Sequence, residues 1–267
     1  MEKSKTKIVG IVNITTDSFS DGGMFLDTDR AIEHALQLVV DGADLIDLGA
    51  ASSNPNTSPV SLEEEIKRLT PVIKALKEKG ISISVDTFKP EVQRFCIDSG
   101  VDYINDIQGF PFPEFYEVLS KSDCGLVLMH SIQRLGVATK INTNPEEVFG
   151  SMMQFFKERI NALVAAGIDK ERIILDPGMG FFLGSNPETS LFVLKRFPYI
   201  SKTFGLPVMI ALSRKSFLGK ITGTDVKNRL APTLAAEIYA NNKGADYIRT
   251  HDVTSLSDAL KIFKALN

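Results

Sequence analysis

Short apolar, β-branched segments alternate with longer amphipathic ones from one end of this chain to the other, and no other feature constrains the fold as much. The predicted strands are 7–15, 45–48, 81–86, 103–106, 125–130, 172–176, 207–213 and 247–252. Apolar spacing predicts helices at 28–42, 61–80, 90–99, 113–120, 145–166 and 188–204, with a last pair flanking the eighth strand from about 228 to 266. Local signals agree: Thr28 precedes Asp29-Arg30-Ala31, Ser61 and Glu64 form a capping box, and Lys79-Gly80 gives a basic last turn and a glycine stop. The first strand, Ile8-Val9-Gly10-Ile11-Val12, is apolar on both faces. Strands buried on both sides and separated by helices imply a parallel sheet with right-handed crossovers. Eight such units suit a closed barrel, which takes about 250 residues, and the chain has 267. An open Rossmann-like sheet is the alternative, but no Gly-x-Gly-x-x-Gly follows the first strand. No composition break or Ser/Gly-rich linker divides the chain, so residues 1–267 are expected to form one α/β domain, a TIM (β/α)8 barrel.

Composition narrows the function. With 43% hydrophobic and 24% charged residues the chain can bury a sizeable core, which excludes disorder as its main state. Thirty basic residues against thirty-three acidic ones, a net charge of −3, leave no electrostatic footprint for nucleic acid or an anionic membrane. No run of about 18 apolar residues is free of charge, so no membrane span is expected, and the N-terminus lacks a signal peptide's apolar stretch. Cys96 and Cys124 match neither a zinc spacing nor a disulfide framework and read as small buried apolar groups in a cytoplasmic protein.

In a parallel barrel the chemistry lies at the C-terminal ends of the strands. There the sequence places Asn13, Asp47, Asp86, Asn105 with Asp106, His130, Asp176, Ser213-Arg214-Lys215, and Arg249 with His251. Taken singly, Asp47 and Asp106 also suit capping and turn roles. As a set, acids, amides and bases converging on one mouth imply an active site. Asp86, Asn105, Asp176 and Lys215 would suit a flat heterocycle with an amino-amide edge, because a carboxylate accepts two parallel N–H bonds from such an edge. Arg249 and His251, two positions apart on one strand, would point the same way and suit a phosphate or other anion. Alternatively, the arginine forms a structural ion pair with a neighbouring carboxylate. The long loops 16–28 and 50–60 read as lids. Asn13, at the entry to the first, is a candidate ligand for Mg²⁺, which takes few protein ligands and completes its shell with phosphate and water. Met129 could pack on a ring, although a Met at a strand end also reads as core.

Ile11-Val12-Asn13-Ile14-Thr15-Thr16-Asp17-Ser18-Phe19-Ser20-Asp21-Gly22-Gly23 resembles the first signature of dihydropteroate synthases. Ser84-Val85-Asp86-Thr87, Asn105-Asp106, Leu175-Asp176-Pro177-Gly178, Ser213-Arg214-Lys215-Ser216 and Arg249-Thr250-His251-Asp252 resemble the later motifs, in order and across the whole chain. The resemblance implies a TIM-barrel transferase that joins 4-aminobenzoate to (7,8-dihydropterin-6-yl)methyl diphosphate, uses Mg²⁺ and forms a homodimer. It places Asp86, Asn105, Asp176 and Lys215 in the pterin pocket, Arg249 and His251 on the diphosphate, Asn13 at Mg²⁺ and Ser216 near the aminobenzoate. The chemistry implied is ionisation of the C–O bond with loss of diphosphate, then attack of the aryl amine on a pterin-stabilised cation.

Three departures stand out. In the second loop Ser53 keeps the hydroxyl of the usual Thr, while Asn54 replaces an Arg; Thr16 replaces a Pro in the first. After Pro177-Gly178 the segment Met179-Gly180-Phe181-Phe182-Leu183-Gly184-Ser185-Asn186 is longer and more apolar than usual. This last feature is similar to the mobile, sulfonamide-insensitive members. Phe181 or Phe182 could narrow the aminobenzoate channel, admitting a flat carboxylate and rejecting a tetrahedral sulfonyl; the other reading is that the triplet only packs its loop onto the following helix. A Schiff-base aldolase using Lys215 and a pterin-binding methyltransferase are the alternative activities.

Overall fold

All eight strands form: β1 (Lys7–Asn13), β2 (Leu45–Gly49), β3 (Ile83–Asp86), β4 (Tyr103–Asp106), β5 (Gly125–Met129), β6 (Ile173–Asp176), β7 (Met209–Ala211) and β8 (Tyr247–Thr250). The computed structural model describes residues 6–14, 28–51, 60–133 and 141–266; Ser53, Thr16 and Asn54 lie outside them. The strands make one sheet in the order β6-β5-β4-β3-β2-β1-β8-β7 with every named pairing parallel. The ring closes between β6 and β7 through a Leu175–Val208 bridge, where the Leu175 N–H donates to the Pro207 carbonyl at 2.9 Å. Around it run α1 (Thr28–Val40), α2 (Leu62–Glu78), α3 (Pro90–Asp98), α4 (Tyr116–Ser120), α5 (Pro145–Ala165), α6 (Pro187–Phe204), α7 (Ser216–Thr222), α8 (Leu230–Lys243) and α9 (Val253–Leu266). This is the expected TIM barrel.

The differences from the sequence reading are local. The helix expected at 113–120 is a 3-10 turn (Pro113–Phe115) followed by α4, and α7 and a second turn, Gly180–Leu183, fall in segments read as loop. Helical pieces this short draw their stability from tertiary contacts and leave little periodicity to read. Only half of the capping box forms: Ser61 Oγ accepts the Glu64 N–H at 3.2 Å, while the Glu64 carboxylate turns to Arg68 at 2.8 Å.

One short motif recurs at the N-terminal end of the barrel. Gly42-Ala43-Asp44, Gly100-Val101-Asp102 and Gly244-Ala245-Asp246 each follow a helix and precede β2, β4 and β8. The glycines take φ of 111°, 72° and 94°, and the next N–H reaches back five residues to close the helix (Ala43 to Leu38, Val101 to Cys96, Ala245 to Ala240). Each aspartate then grips the start of the neighbouring strand twice. Its N–H donates to the carbonyl of Ile8, Ile83 or Val208, and its Oδ2 accepts the same residue's N–H at 2.8 Å. These brackets set the start of three even-numbered strands, so the residue three places on lies at a common height in each. Those residues are Asp47, Asn105 and Arg249.

Two apolar cores hold the ring. The larger lies between sheet and helices and includes fully buried Phe156, Phe197, Leu69 and Leu126; each such side chain contributes about 1.5–3 kcal/mol of burial. The smaller fills the barrel interior with Val9, Leu45, Val127, Ile174 and Met209, flanked by Tyr103 and Tyr247. It plugs the lower end of the ring, so the strand C-termini above it are where a ligand can enter.

Glu237 of α8 is fully buried against β8. Burial pushes its carboxyl up to about 8, the Thr250 hydroxyl only partly offsetting this. The folded state therefore keeps a proton that the unfolded chain releases above its ordinary value of 4.5, and stability falls as pH rises through the window between 4.5 and about 8. This group contributes a slope of about 1.4 kcal/mol per pH unit there. Glu237→Gln, which cannot ionise, is expected to flatten that slope in urea unfolding measured from pH 5 to 8; an unaltered slope would mean Glu237 is charged in the fold.

Candidate active site

The even-numbered strands deliver the core of the site. Two positions beyond the interior layer, period-two alternation points Asp47 (β2), Asn105 (β4), Asp176 (β6) and Arg249 (β8) inward together. Arg249 is the hub. Its Nε donates to Asp47 Oδ2 at 2.6 Å and its Nη2 to Asp86 Oδ2 at 3.0 Å, while Nη1 takes part in neither contact. Burial works against its charge, but Asp47 and Asp86 outweigh it and raise the guanidinium further. The arginine thus sits in the ion pair that the sequence left open as an alternative, between two carboxylates and not as an open anion fork.

Asn105 Nδ2 donates to the same Asp47 Oδ2 at 3.4 Å, which turns its amide oxygen away. Asn105 Oδ1 and Asp47 Oδ1 are buried without a hydrogen-bond partner among the described residues. Buried acceptors of this kind are costly unless a bound group supplies N–H donors. Asp176, at the end of β6, accepts the Gly178 N–H on Oδ1 at 2.7 Å. Burial raises it to about 6, with Gly178 and Lys215 opposing. Burial raises Asp86 further, to about 7, the Asp47 charge adding to it against the pull of Arg249. Lys215 follows β7, and burial with the nearby Arg249 lowers its ammonium to about 8 despite Asp176 and Asp86. The mouth therefore offers four acceptors, on Asp47, Asp86, Asn105 and Asp176, and one ammonium donor, a set matched to a flat, N–H-rich ring.

Beside them lies an apolar wall of Ile107, Met129 and Phe182, with Phe88 and Phe181 packed against it. Lys215 Nζ sits 5.3 Å over the Phe182 ring. The apolar triplet after Gly180 divides: Leu183 enters the large core, while Phe181 and Phe182 join this wall. Loop packing alone does not describe it, and Met129 belongs to the wall and not to the large core.

His251 lies one residue beyond β8, not on it as expected. The Ser213 hydroxyl accepts its backbone N–H at 3.2 Å and stands 2.9 Å from ring Nδ1. With Ser213 donating to Nδ1, the ring proton rests on Nε2. Burial, and then Arg214, Arg249 and Lys215, hold the imidazole well below its usual value, so it is a neutral donor. Ser216 is the first residue of α7, and Asn13 ends β1 at the mouth.

Two strand-end residues serve structure instead. Asp106 accepts from the Gln108 N–H at 2.8 Å, the Phe110 N–H at 3.1 Å and Gln93 Nε2 at 3.0 Å, bracing the turn after β4. His130 is fully buried, edge-on to Phe155. Asp47, by contrast, braces no turn, and the signal that would have singled it out is the Gly-(Ala/Val)-Asp repeat, which puts it level with Asn105 and Arg249.

Asp47→Asn is expected to leave Arg249 to Asp86 alone and to bring the Asp86 titration below about 7. Carbon-13 NMR of the aspartate carboxyls reads this, and an unmoved midpoint would show that the guanidinium does not couple the two acids.

The family model described as "Pterin binding enzyme" matches residues 9–251. Dihydropteroate synthase type-3 of Escherichia coli is 79% identical over 98% of this chain and 99% of the relative. Among solved structures, Xanthomonas albilineans dihydropteroate synthase with 4-aminobenzoic acid superposes with a TM-score of 0.88 at 37% identity, covering 98% of this chain and 93% of that one. The same enzyme in complex with 7,8-dihydropteroate gives a TM-score of 0.84 at 35% identity, covering 100% and 95%.

Proposed function

The chain belongs to the pterin-binding enzyme family, and from that premise we propose how its own residues carry out the family's chemistry. It is a transferase that condenses (7,8-dihydropterin-6-yl)methyl diphosphate with 4-aminobenzoate, giving dihydropteroate and pyrophosphate for folate synthesis. The relatives' activity sets aside the aldolase and methyltransferase readings. The observation that carries the residue assignment is the pair of buried, unpartnered acceptors beside Asp176 and Lys215.

In this reading Asp176, Asn105 and Asp86 accept the N–H groups of the pterin, Lys215 donates to its amide carbonyl, and Met129 packs on its face. Arg249 offers Nη1, and His251 its Nε2 proton, to the diphosphate oxygens on which charge builds as the C–O bond breaks. The aryl amine then attacks the pterin-stabilised cation, with Ser216, the first residue of α7, on the aminobenzoate side.

Mg²⁺ belongs to this reading. Asn13 presents an amide at the mouth, and the described residues contain no group of three His, Cys, Asp or Glu side chains able to hold a metal. That donor set suits an ion held largely by diphosphate and water. When bound, Mg²⁺ supplies charge neutralisation at the leaving group. A homodimer in the cytoplasm completes the picture. Exposed Ile221, Val226 and Leu230, close in sequence around the start of α8, support an apolar contact face; no helix among the described residues is long and apolar enough to cross a membrane.

Pyrophosphate release on mixing the pterin diphosphate, 4-aminobenzoate and Mg²⁺ tests the activity, and omission of either substrate is expected to abolish it. The pterin needs Asp176 and Asp86 ionised and Lys215 protonated. So kcat/KM is expected to rise through about 6 to 7 and to fall above about 8; a flat profile over pH 5 to 9 would contradict these roles.

The wall also suggests sulfonamide insensitivity. Phe181 and Phe182 narrow the aminobenzoate side of the mouth, so a flat carboxylate passes and a substituted sulfonyl meets the rings. A hundredfold discrimination requires about 2.8 kcal/mol, which a steric clash supplies. Phe181→Ala and Phe182→Ala are expected to lower the sulfamethoxazole inhibition constant at least tenfold relative to the KM for 4-aminobenzoate. Unchanged inhibition with retained turnover would remove the steric explanation.

A further inference from the structure

Arg214 and Phe110 are the non-glycine residues with positive φ among those described, Arg214 at 58°. An L residue persists in this left-handed conformation only where its surroundings over-determine it. Three groups do so here. The Arg214 N–H donates to Thr233 Oγ1 at 3.1 Å, and its carbonyl accepts from Arg229 Nη1 at 2.9 Å. Its side chain grips Asp252, Nη2 to Oδ1 at 3.1 Å and Nε to Oδ2 at 3.4 Å. Asp252 is itself held, its N–H donating to the buried Thr250 hydroxyl at 3.3 Å.

The partners are equally constrained. Thr233 is fully buried, one turn into α8 from Arg229, which precedes its first residue. Arg229 reaches Arg214 by crossing α7 at Gly219, where an added Cβ would lie 2.4 Å from Arg229 Nε and 2.5 Å from the Thr224 carbonyl oxygen. A glycine in the middle of a short helix, which costs helix stability, thus makes room for this one guanidinium. Next in the chain is Lys215. Its N–H donates to the Leu212 carbonyl at 3.2 Å, and its ammonium faces Asp176 and the Phe182 ring. The φ of Arg214 therefore sets the direction in which Lys215 leaves the loop.

We propose that Arg229, Thr233 and Asp252 are positioning residues that hold Arg214 in its left-handed conformation and thereby aim Lys215 at the pterin. Helix α8 thus takes part in substrate recognition without touching the substrate. The proposal rests on the reading of Lys215 as a pterin donor.

The test compares Thr233→Val, Thr233→Ser, Arg229→Gln and Lys215→Met in the full chain, reading kcat, KM for the pterin diphosphate, and pterin affinity by fluorescence. Thr233→Val is expected to raise that KM and weaken pterin binding about tenfold, in keeping with loss of one hydrogen bond, with kcat within about threefold. Thr233→Ser, which keeps the hydroxyl, is expected to restore both, and Arg229→Gln to weaken binding in the same sense. In Thr233→Val/Lys215→Met the pterin is expected to bind no worse than in Lys215→Met alone, because both changes remove one interaction. Additive losses, or wild-type pterin affinity in both Thr233→Val and Arg229→Gln while Lys215→Met is weakened, would overturn the positioning role. Wild-type affinity in Lys215→Met would instead overturn the reading of Lys215, and the proposal with it. Should Thr233→Val fail to fold, Gly219→Ala, which displaces Arg229, replaces it and is judged by the same outcomes.

Discussion

A guanidinium shared between two carboxylates at the centre of a closed ring governs everything above it in this molecule. Arg249 binds Asp47 at 2.6 Å and Asp86 at 3.0 Å. Buried pairs of this sort give little net stability, since desolvation consumes most of the attraction. Their value here is geometric and electrostatic. Asp47 orients the Asn105 amide, Asp86 is left poised near neutrality, and Lys215 loses part of its proton affinity to the neighbouring cation. One interaction thereby sets the donor and acceptor pattern at the mouth of the barrel.

The opposite end of the barrel explains how such a cluster is assembled. The aspartate brackets before β2, β4 and β8 satisfy strand N–H groups that would otherwise be orphaned, and they peg the height of each strand. A slip of one residue would turn Asp47 or Arg249 into the helix layer, where an uncompensated charge is prohibitive, or would bury the Asn105 amide there without partners. Stability at the lower face and chemistry at the upper one are therefore linked through register.

The apolar wall and the loop after β7 show two ways of shaping the same mouth. Phe182 acts by bulk, lying beside Met129 and beneath the Lys215 ammonium. Arg214 acts by backbone conformation, sustained by α8 and Asp252. The first sets the bulk of one wall of the mouth, and the second the direction in which the Lys215 ammonium points.

Much of this was legible beforehand. Eight apolar strands separated by amphipathic helices fix the barrel, because a parallel sheet buried on both faces writes itself into local periodicity. Asp86, Asn105, Asp176, Lys215 and Arg249 could be read as site residues from their places at strand ends. What periodicity could not convey was pairing between side chains far apart in sequence: that Arg249 meets Asp47 across 202 positions, that Asp106 braces a turn while Asp47 does not, or that Phe182 and Leu183, adjacent in the chain, serve different cores. Nor could it show α7 and the Gly180–Leu183 turn, whose stability is tertiary. The sequence by itself determined the architecture and the list of reactive groups, since both follow from spacing along the chain. The tertiary structure alone decided which groups neutralise one another and which stay open to a ligand, because charge pairing and desolvation depend on distances that exist only once the ring has closed.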